Sequence, residues 1–142
     1  MRLHETRLID RPIQEVFAFT ADFSNSEEWD PGVETADQVR GPGPGVGAIY
    51  DLMVTFGSAR IPMTYETTVF EPGSRVVLEG RGATLTARDE IRFEDRDGAT
   101  FVDYTADLDF TNWIRFVTPL MSPMLKKVGE KALDGLVETL ER

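Results

Sequence analysis

The residues of this chain whose types and spacing could do chemistry are one carboxylate and three phenols. In the stretch TARDEIRF, residues 86–93, apolar and polar side chains alternate as in a half-buried β-strand. This alternation places Asp89 on the apolar face with Ala87 and Ile91. A buried ionised carboxylate is costly, so it must protonate, find donors or keep water. Three interpretations are open: a cavity wall, a β-bulge that turns Asp89 outward, or a satisfied acid with no function.

Tyr50, Tyr65 and Tyr104 fall on the same apolar face of other predicted strands, where their hydroxyls could donate hydrogen bonds to Asp89. A desolvated carboxyl with a raised pKa can act as a general acid or base. Such a group can transfer a proton beside an enolisable carbonyl. If Asp89 lines a cavity, the candidate catalytic residues are Asp89, Tyr104 and Tyr65.

The composition excludes several other kinds of site. There is no cysteine, so disulfides, thiol nucleophiles and cysteine metal sites are impossible. The single histidine, His4, supports neither a histidine metal site nor a Ser-His-Asp triad. We therefore expect no metal and no cofactor. A formal net charge of -10 argues against binding to nucleic acid and against electrostatic docking on anionic lipid.

The N-terminal sequence MRLHETRLID is too polar for a signal peptide, and no segment has enough consecutive apolar residues for a membrane span. The sequence therefore predicts a cytoplasmic protein without stable membrane insertion. No feature indicates a permanent assembly, and we expect a monomer or a weak homodimer.

The elements that must position these residues follow from periodicity and turn signals. Residues 2–9 predict a strand, residues 12–21 a short helix, and Ser24 or Ser26 can cap a second one. The repeated Pro and Gly of GPGPGVG, residues 41–47, predict a surface loop. Short Gly-containing connections then favour consecutive antiparallel hairpins. The predicted strands are 33–40, 48–56, 60–70, 75–80, 84–94 and 100–110.

The last segment changes to a helical period. Thr111 or Asn112 can cap a turn of helix, and a long amphipathic helix is predicted to begin with Ser122 as N-cap and Pro123 at the first position. Gly129 and Gly135 lie on or beside its apolar stripe. Each costs about 1 kcal/mol relative to alanine. Either the helix approaches a strand closely there, or space is left for something else.

This order predicts an α+β protein of one domain, residues 1–142, in which a curved seven-stranded antiparallel sheet grips one long helix. The helix touches only part of the concave face, so unfilled volume remains for a ligand. The apolar face of the strands, Val69 of strand 60–70 included, should line it. Trp29, Trp113 and Phe116 should form its mouth or cap the end of the core. The candidate ligand-binding residues are Trp29, Tyr50, Leu52, Val54, Phe56, Met63, Tyr65, Leu78, Asp89, Ile91, Tyr104, Trp113, Phe116, Met124, Val128 and Ala132.

The segment LIDRPIQEVFAFTADFSNSEEWDPGV resembles the opening of the START-like (SRPBCC) superfamily, in its bacterial polyketide cyclase/dehydrase-type branch. A hairpin that begins at Phe93 is also typical of that branch. The resemblance covers essentially the whole chain and implies a helix-grip fold with two short helices, one long C-terminal helix and a deep hydrophobic pocket. The matching residues are Ile9, Pro12, Val16, Phe17, Asp22 and Trp29, then Phe93, Glu94, Gly98, Thr100, Val102 and Tyr104.

The resemblance implies a carrier or sensor that binds a lipid-, polyketide- or quinone-like molecule. One alternative is a metal-free cyclase, aromatase or dehydratase that uses the pocket carboxylate and tyrosines. A further alternative is a protein-interaction module. Characterised aromatase/cyclases of the branch tend to hold substrate oxygens with a pocket arginine. The inward-facing set predicted here contains no arginine, which favours plain binding.

Overall fold

A computed structural model of the chain describes residues 1–111 and 114–142. The caps proposed at Asn112 and the site proposed at Trp113 lie outside the described residues. Within them are seven strands and three α-helices, with a 3-10 turn at Phe23–Asn25. In chain order the elements are β1 (Arg2–Ile9), α1 (Ile13–Ala21), α2 (Ser26–Trp29), β2 (Val33–Arg40), β3 (Ile49–Phe56), β4 (Ala59–Glu71), β5 (Arg75–Arg81), β6 (Leu85–Arg96), β7 (Ala99–Phe110) and α3 (Ile114–Leu140).

The strands form one antiparallel sheet in the order β1-β7-β6-β5-β4-β3-β2. Strands β2 to β7 are a run of consecutive hairpins, and β1 pairs with the last strand, β7. The segment with α1 and α2 links the two edge strands. The sheet curves around α3, which confirms the predicted helix-grip fold.

Helix α3 is longer than the sequence predicted. It begins at Ile114 and continues through Pro119 and Pro123, so the predicted start at Ser122 is wrong. Each proline removes one helical N–H donor, but both prolines are exposed and carbonyls there can bond to water. The Thr118 hydroxyl also donates to the Ile114 carbonyl at 3.1 Å.

The C-terminal half of α3 provides much of the core. Its buried residues recur at helical spacing, and they face β1, β7 and α2. At the other end of the sheet, the ring of Phe17 on α1 lies edge-on to Phe70 and Phe93, with centroids 5.2 and 5.0 Å away. The buried residues of α3 are Leu125, Ala132, Leu133, Leu136 and Leu140.

A bulge in β4 reverses which side chains face inward. Thr67 pairs with Leu78 and Val69 pairs with Val77, so the register shifts by one residue between them. Phe70 therefore packs into the core in place of Val69, and the prediction for Val69 fails. The sequence has no Gly or Pro at the bulge that would have indicated it.

The two glycines of α3 have different surroundings. A Cβ at Gly135 would overlap the backbone carbonyl oxygen of Trp29, so this glycine allows α3 to pack closely on α2. A Cβ at Gly129 would lie 3.7 Å from Cγ of Glu5, an ordinary contact.

We expect Gly135→Ala to lower the free energy of unfolding by about 1–3 kcal/mol, because the backbone of α2 must move to admit the methyl group. Gly129→Ala is the matched control in the same helix and should be neutral or stabilising by up to about 1 kcal/mol through helix propensity. Urea denaturation measures both. A Gly135→Ala variant as stable as the parent protein would contradict the close packing of α3 on α2.

Candidate functional site

A cavity lies between the concave face of the sheet, the α2 segment and the middle of α3. Its empty volume is about 870 Å³, including the part open to solvent. The wall is mostly apolar and includes five aromatic rings. The lining residues are Leu3, Glu5, Phe23, Ser26, Trp29, Asp30, Val33, Leu52, Val54, Phe56, Tyr65, Leu85, Asp89, Tyr104, Ala106, Leu108, Leu125, Val128, Gly129, Ala132 and Leu133.

Asp89 faces this cavity because β6 is regular. It pairs with Leu78 on β5 and with Ala106 on β7, and neither register shifts along the strand. The alternation along β6 therefore continues unbroken, and no bulge turns the carboxylate outward. The side chain is buried, with a residue exposure of 6%.

The carboxyl of Asp89 is only half satisfied. The Tyr104 hydroxyl donates to Oδ2 at 2.5 Å, and Oδ1 has no hydrogen-bond partner among the described residues. Burial raises the pKa of Asp89 to about 7; the Tyr104 bond lowers it, whereas the charges of Asp30 and Asp107 raise it further. Near neutral pH this group can either accept or release a proton.

A second acid, Asp30, follows α2 in the cavity wall. Its Oδ1 accepts a hydrogen bond from the backbone N–H of Gly32 at 2.8 Å. Burial nonetheless raises the pKa of Asp30 to about 6, and the Gly32 amide opposes that rise. Two carboxyls whose pKa values are both raised therefore line the same cavity.

Tyr65 and Tyr104 supply phenols to the same wall. Burial, followed by the charge of Asp89, raises the pKa of both well above the usual value, so both hydroxyls stay protonated donors. The ring of Tyr65 lies over Gly80 on β5, where an added Cβ would approach a ring carbon to 2.6 Å. Gly80 is therefore needed for Tyr65 to lie flat against the sheet.

The third acid of the wall, Glu5, is already paired. Arg7 on β1 binds Oε1 of Glu5 at 2.9 Å and Oδ1 of Asp134 on α3 at 3.0 Å. These two contacts hold the guanidinium between β1 and α3. Within the described part of the chain, no lysine, arginine or histidine lines the cavity.

The structure distributes the sequence-predicted residues over three environments. Tyr50, Met63, Leu78 and Ile91 are buried in the core and do not line the cavity. Phe116 and Met124 in the first half of α3 are exposed to 74% and 44%. Trp113 is not among the described residues. The predicted residues in the cavity wall are Trp29, Leu52, Val54, Phe56, Tyr65, Asp89, Tyr104, Val128 and Ala132.

Sequence reasoning missed the contributions of β1 and, apart from Trp29, those of the α2 segment. Glu5 lies on the same face of β1 as Leu3 and Ile9, so the argument applied to Asp89 would also have found Glu5. Asp30 carried no periodic signal, because it lies in the turn after a one-turn helix. The other lining residues that were missed are Phe23, Ser26, Val33, Leu125, Gly129 and Leu133.

Two kinds of feature are absent from the described residues. Residues 1–111 and 114–142 contain no group of three His, Cys, Asp or Glu side chains placed to hold a metal ion. Across those same ranges, none of the helices combines the length and apolar character needed to cross a bilayer.

Comparison with known proteins gives the class of this fold and site. The model of the family described as "Polyketide cyclase / dehydrase and lipid transport" matches residues 1–141. No curated protein matches the sequence significantly. A Thermus thermophilus protein of solved structure aligns with a TM-score of 0.85 and 17% identity, over 99% of this chain and 97% of its own.

Two further solved structures have similar folds. The Zhui aromatase/cyclase from a Streptomyces species has a TM-score of 0.84 and 14% identity, over 100% of this chain and 94% of its own. A START superfamily protein from Mycobacterium smegmatis has a TM-score of 0.76 and 13% identity, over 99% and 97%. The family match and the fold together define a START-like domain with a mostly apolar cavity between sheet and helix. The chain belongs to the polyketide cyclase / dehydrase and lipid transport family.

The raised pKa of Asp89 predicts a particular pH dependence of stability. Its folded-state pKa, about 7, exceeds the value near 3.9 of an unfolded aspartate, so the folded state holds the proton more tightly. The contribution of this group is therefore fully present below about pH 4 and is lost as pH rises towards 7. Asp89→Asn should remove a decline on the order of 3–4 kcal/mol.

Urea denaturation between about pH 4 and about pH 8 checks this, since the difference between parent and variant isolates one group. Asp109→Asn is the control, because it removes an exposed carboxyl from the neighbouring strand β7. Its stability should run parallel to the parent curve. Parallel curves for parent and Asp89→Asn would contradict a buried, protonated Asp89.

Proposed function

We propose that this chain binds a hydrophobic small molecule, lipid-, polyketide- or quinone-like, inside the cavity and acts as its carrier or sensor. The observation that supports this best is the unfilled, mostly apolar volume between the sheet and α3. Apolar surface transferred from water into such a site contributes about 25 cal/mol per Å².

The shape of the site favours binding over simple packing. Gly129 and Ala132 present little side chain to the cavity on the helix side, and Ala106 does the same on β7. Larger residues at these three positions would close the space. The five rings of the wall, from Phe23, Trp29, Phe56, Tyr65 and Tyr104, offer flat apolar surface to a ligand.

The comparisons agree with this proposal in two ways. The family description includes lipid transport. The similar Streptomyces structure is described as an aromatase/cyclase. At 14% identity that similarity supports the fold, and the cavity of this chain supports the binding role.

Binding can be measured with the neutral fluorophore N-phenyl-1-naphthylamine, whose emission rises in apolar surroundings. We expect the parent protein to bind it, and Ala132→Leu to weaken the affinity about tenfold or more by filling the cavity. Val128→Phe is a second filling variant, at a less buried position. Ala18→Leu is the control, because Ala18 is exposed on α1.

Native mass spectrometry of the gently purified protein complements this titration. A carrier should retain a lipid-like mass that Ala132→Leu loses. If N-phenyl-1-naphthylamine binds parent and filling variants equally, or not at all, the cavity is not the binding site.

A second candidate function is a metal-free cyclase or dehydratase. The observation that favours it is the buried carboxyl of Asp89 with a pKa of about 7 beside the phenols of Tyr104 and Tyr65. Ionised Asp89 would accept a proton from a carbon next to a substrate carbonyl, and the Tyr65 hydroxyl would donate a hydrogen bond to the enolate oxygen.

Turnover of a poly-β-ketone mimic, and exchange of its α-protons followed by NMR, test this candidate. Asp89→Asn should reduce the proton exchange about 10²-fold or more, while N-phenyl-1-naphthylamine still binds. Unchanged exchange in this variant would leave binding as the only role of the cavity.

A further inference from the structure

Several surface acids and two acids of the cavity wall differ in their partners. On the outer surface, arginines bind carboxylates at 2.8–2.9 Å, as in Arg2–Asp107, Arg60–Glu34 and Arg75–Glu90. In the cavity, Asp89 and Asp30 have no salt bridge within the described residues.

Of these two acids, Asp89 departs further from the usual pattern of buried polar groups. Its Oδ1 is a buried acceptor that receives no hydrogen bond from the described residues, on a side chain that is more than nine-tenths buried and that faces the cavity. Native proteins seldom leave such an atom unpaired. A ligand that brings a donor to this point would satisfy it.

The surroundings of Asp89 favour a donor that is positively charged. Tyr104 on β7 and Tyr65 on β4 are neutral phenols, and Asp30 after α2 carries a like charge. Asp107, farther along β7, adds a like charge and is itself paired with Arg2.

The remaining elements add no cation to the wall. Strand β1 contributes Glu5, whose charge is neutralised by Arg7. Helix α3 and strand β3 contribute only apolar lining residues. The aromatic rings of the wall also attract cations through their π faces.

We propose that the ligand of this cavity is a hydrophobic amine, whose ammonium group binds Asp89 Oδ1 while its apolar part occupies the cavity between the sheet and α3. This inference rests on the proposed binding function and names the chemical class of the ligand. The ammonium donates to the unpaired oxygen and offsets the repulsion between Asp89 and Asp30. A carboxylate ligand of equal length finds no cation in the described wall and should bind worst.

The sign of the pH dependence separates an amine from a carbonyl ligand. An alkylammonium has a pKa near 10, like lysine, so it stays charged while Asp89 titrates. Amine affinity should therefore rise between about pH 6 and about pH 8, and binding should release a proton from Asp89. A carbonyl ligand would accept a hydrogen bond from protonated Asp89, and its affinity would fall over the same range.

The experiment uses three probes of one chain length, namely decylamine, 1-decanol and decanoate, each below its aggregation concentration. Their displacement of N-phenyl-1-naphthylamine from the full chain is measured across this pH range. We expect decylamine to bind about tenfold or more tightly than 1-decanol at about pH 8, and decanoate to bind most weakly. Calorimetry in buffers of different ionisation enthalpy measures the released proton.

Asp89→Asn should abolish the amine preference and the proton release, so that decylamine binds no more tightly than 1-decanol. Asp30→Asn should reduce the preference by less, and Asp109→Asn should leave it unchanged. If Asp89→Asn fails to fold, the pH profile and proton release of the parent protein decide the question.

The possible outcomes separate the amine assignment from the binding function on which it rests. If 1-decanol and N-phenyl-1-naphthylamine bind but decylamine binds no better, the amine assignment is wrong and the binding function stands. If affinity for decylamine falls as pH rises, a neutral acceptor ligand is favoured and the assignment is again wrong. If no probe binds, both proposals fail.

Discussion

The hydrogen bond between Tyr104 and Asp89 joins two strands on the inner face of the sheet, and the character of the cavity depends on it. It satisfies one oxygen of a carboxyl that would otherwise be isolated in apolar surroundings. The other oxygen has no partner in the part of the chain that the structure describes, and the residue lines the cavity. This one hydrogen bond therefore lowers the cost of the buried acid and leaves a polar atom in a mostly apolar wall.

The regular register of β6 makes this relation possible. A slip of one residue would exchange the two faces of the strand, sending Asp89 to solvent and Arg88 or Glu90 inward. On the outer face, Glu90 binds Arg75 of the neighbouring strand β5 at 2.9 Å, a cross-strand salt bridge that fits the observed register. By contrast, the bulge in β4 brings Phe70 to the ring of Phe17 and closes the end of the core below α1.

Helix α3 defines the opposite wall, and its small residues determine how much room remains. Gly135 brings the helix onto α2 by backbone contact, which fixes the distance between α3 and α2 at one point. Ala132 and Gly129, about one and two turns earlier, leave the space beside β1 and β7 unfilled. Close packing and an open cavity, which the sequence offered as alternatives, both occur on the same helix, about two turns apart.

Period and turn chemistry in the sequence determined the strands and the hairpin order and placed Asp89 on the apolar face of its strand, because alternation along a strand is a local property. The sequence left a bulge at Asp89 open, and the unshifted register of β6 excludes it. Resemblance to the START-like superfamily added the helix-grip arrangement. Only the tertiary structure brought Glu5 and Asp30 into the cavity wall. It also placed Tyr50, Met63, Leu78 and Ile91 in the core, away from the cavity. Both placements depend on which distant segments of the chain meet. It also decided that α3 begins at Ile114 and that Val69 turns away from the core. A helix that continues through two prolines depends on solvent exposure, and a bulge without glycine depends on strand pairing. No local sequence pattern contains this information.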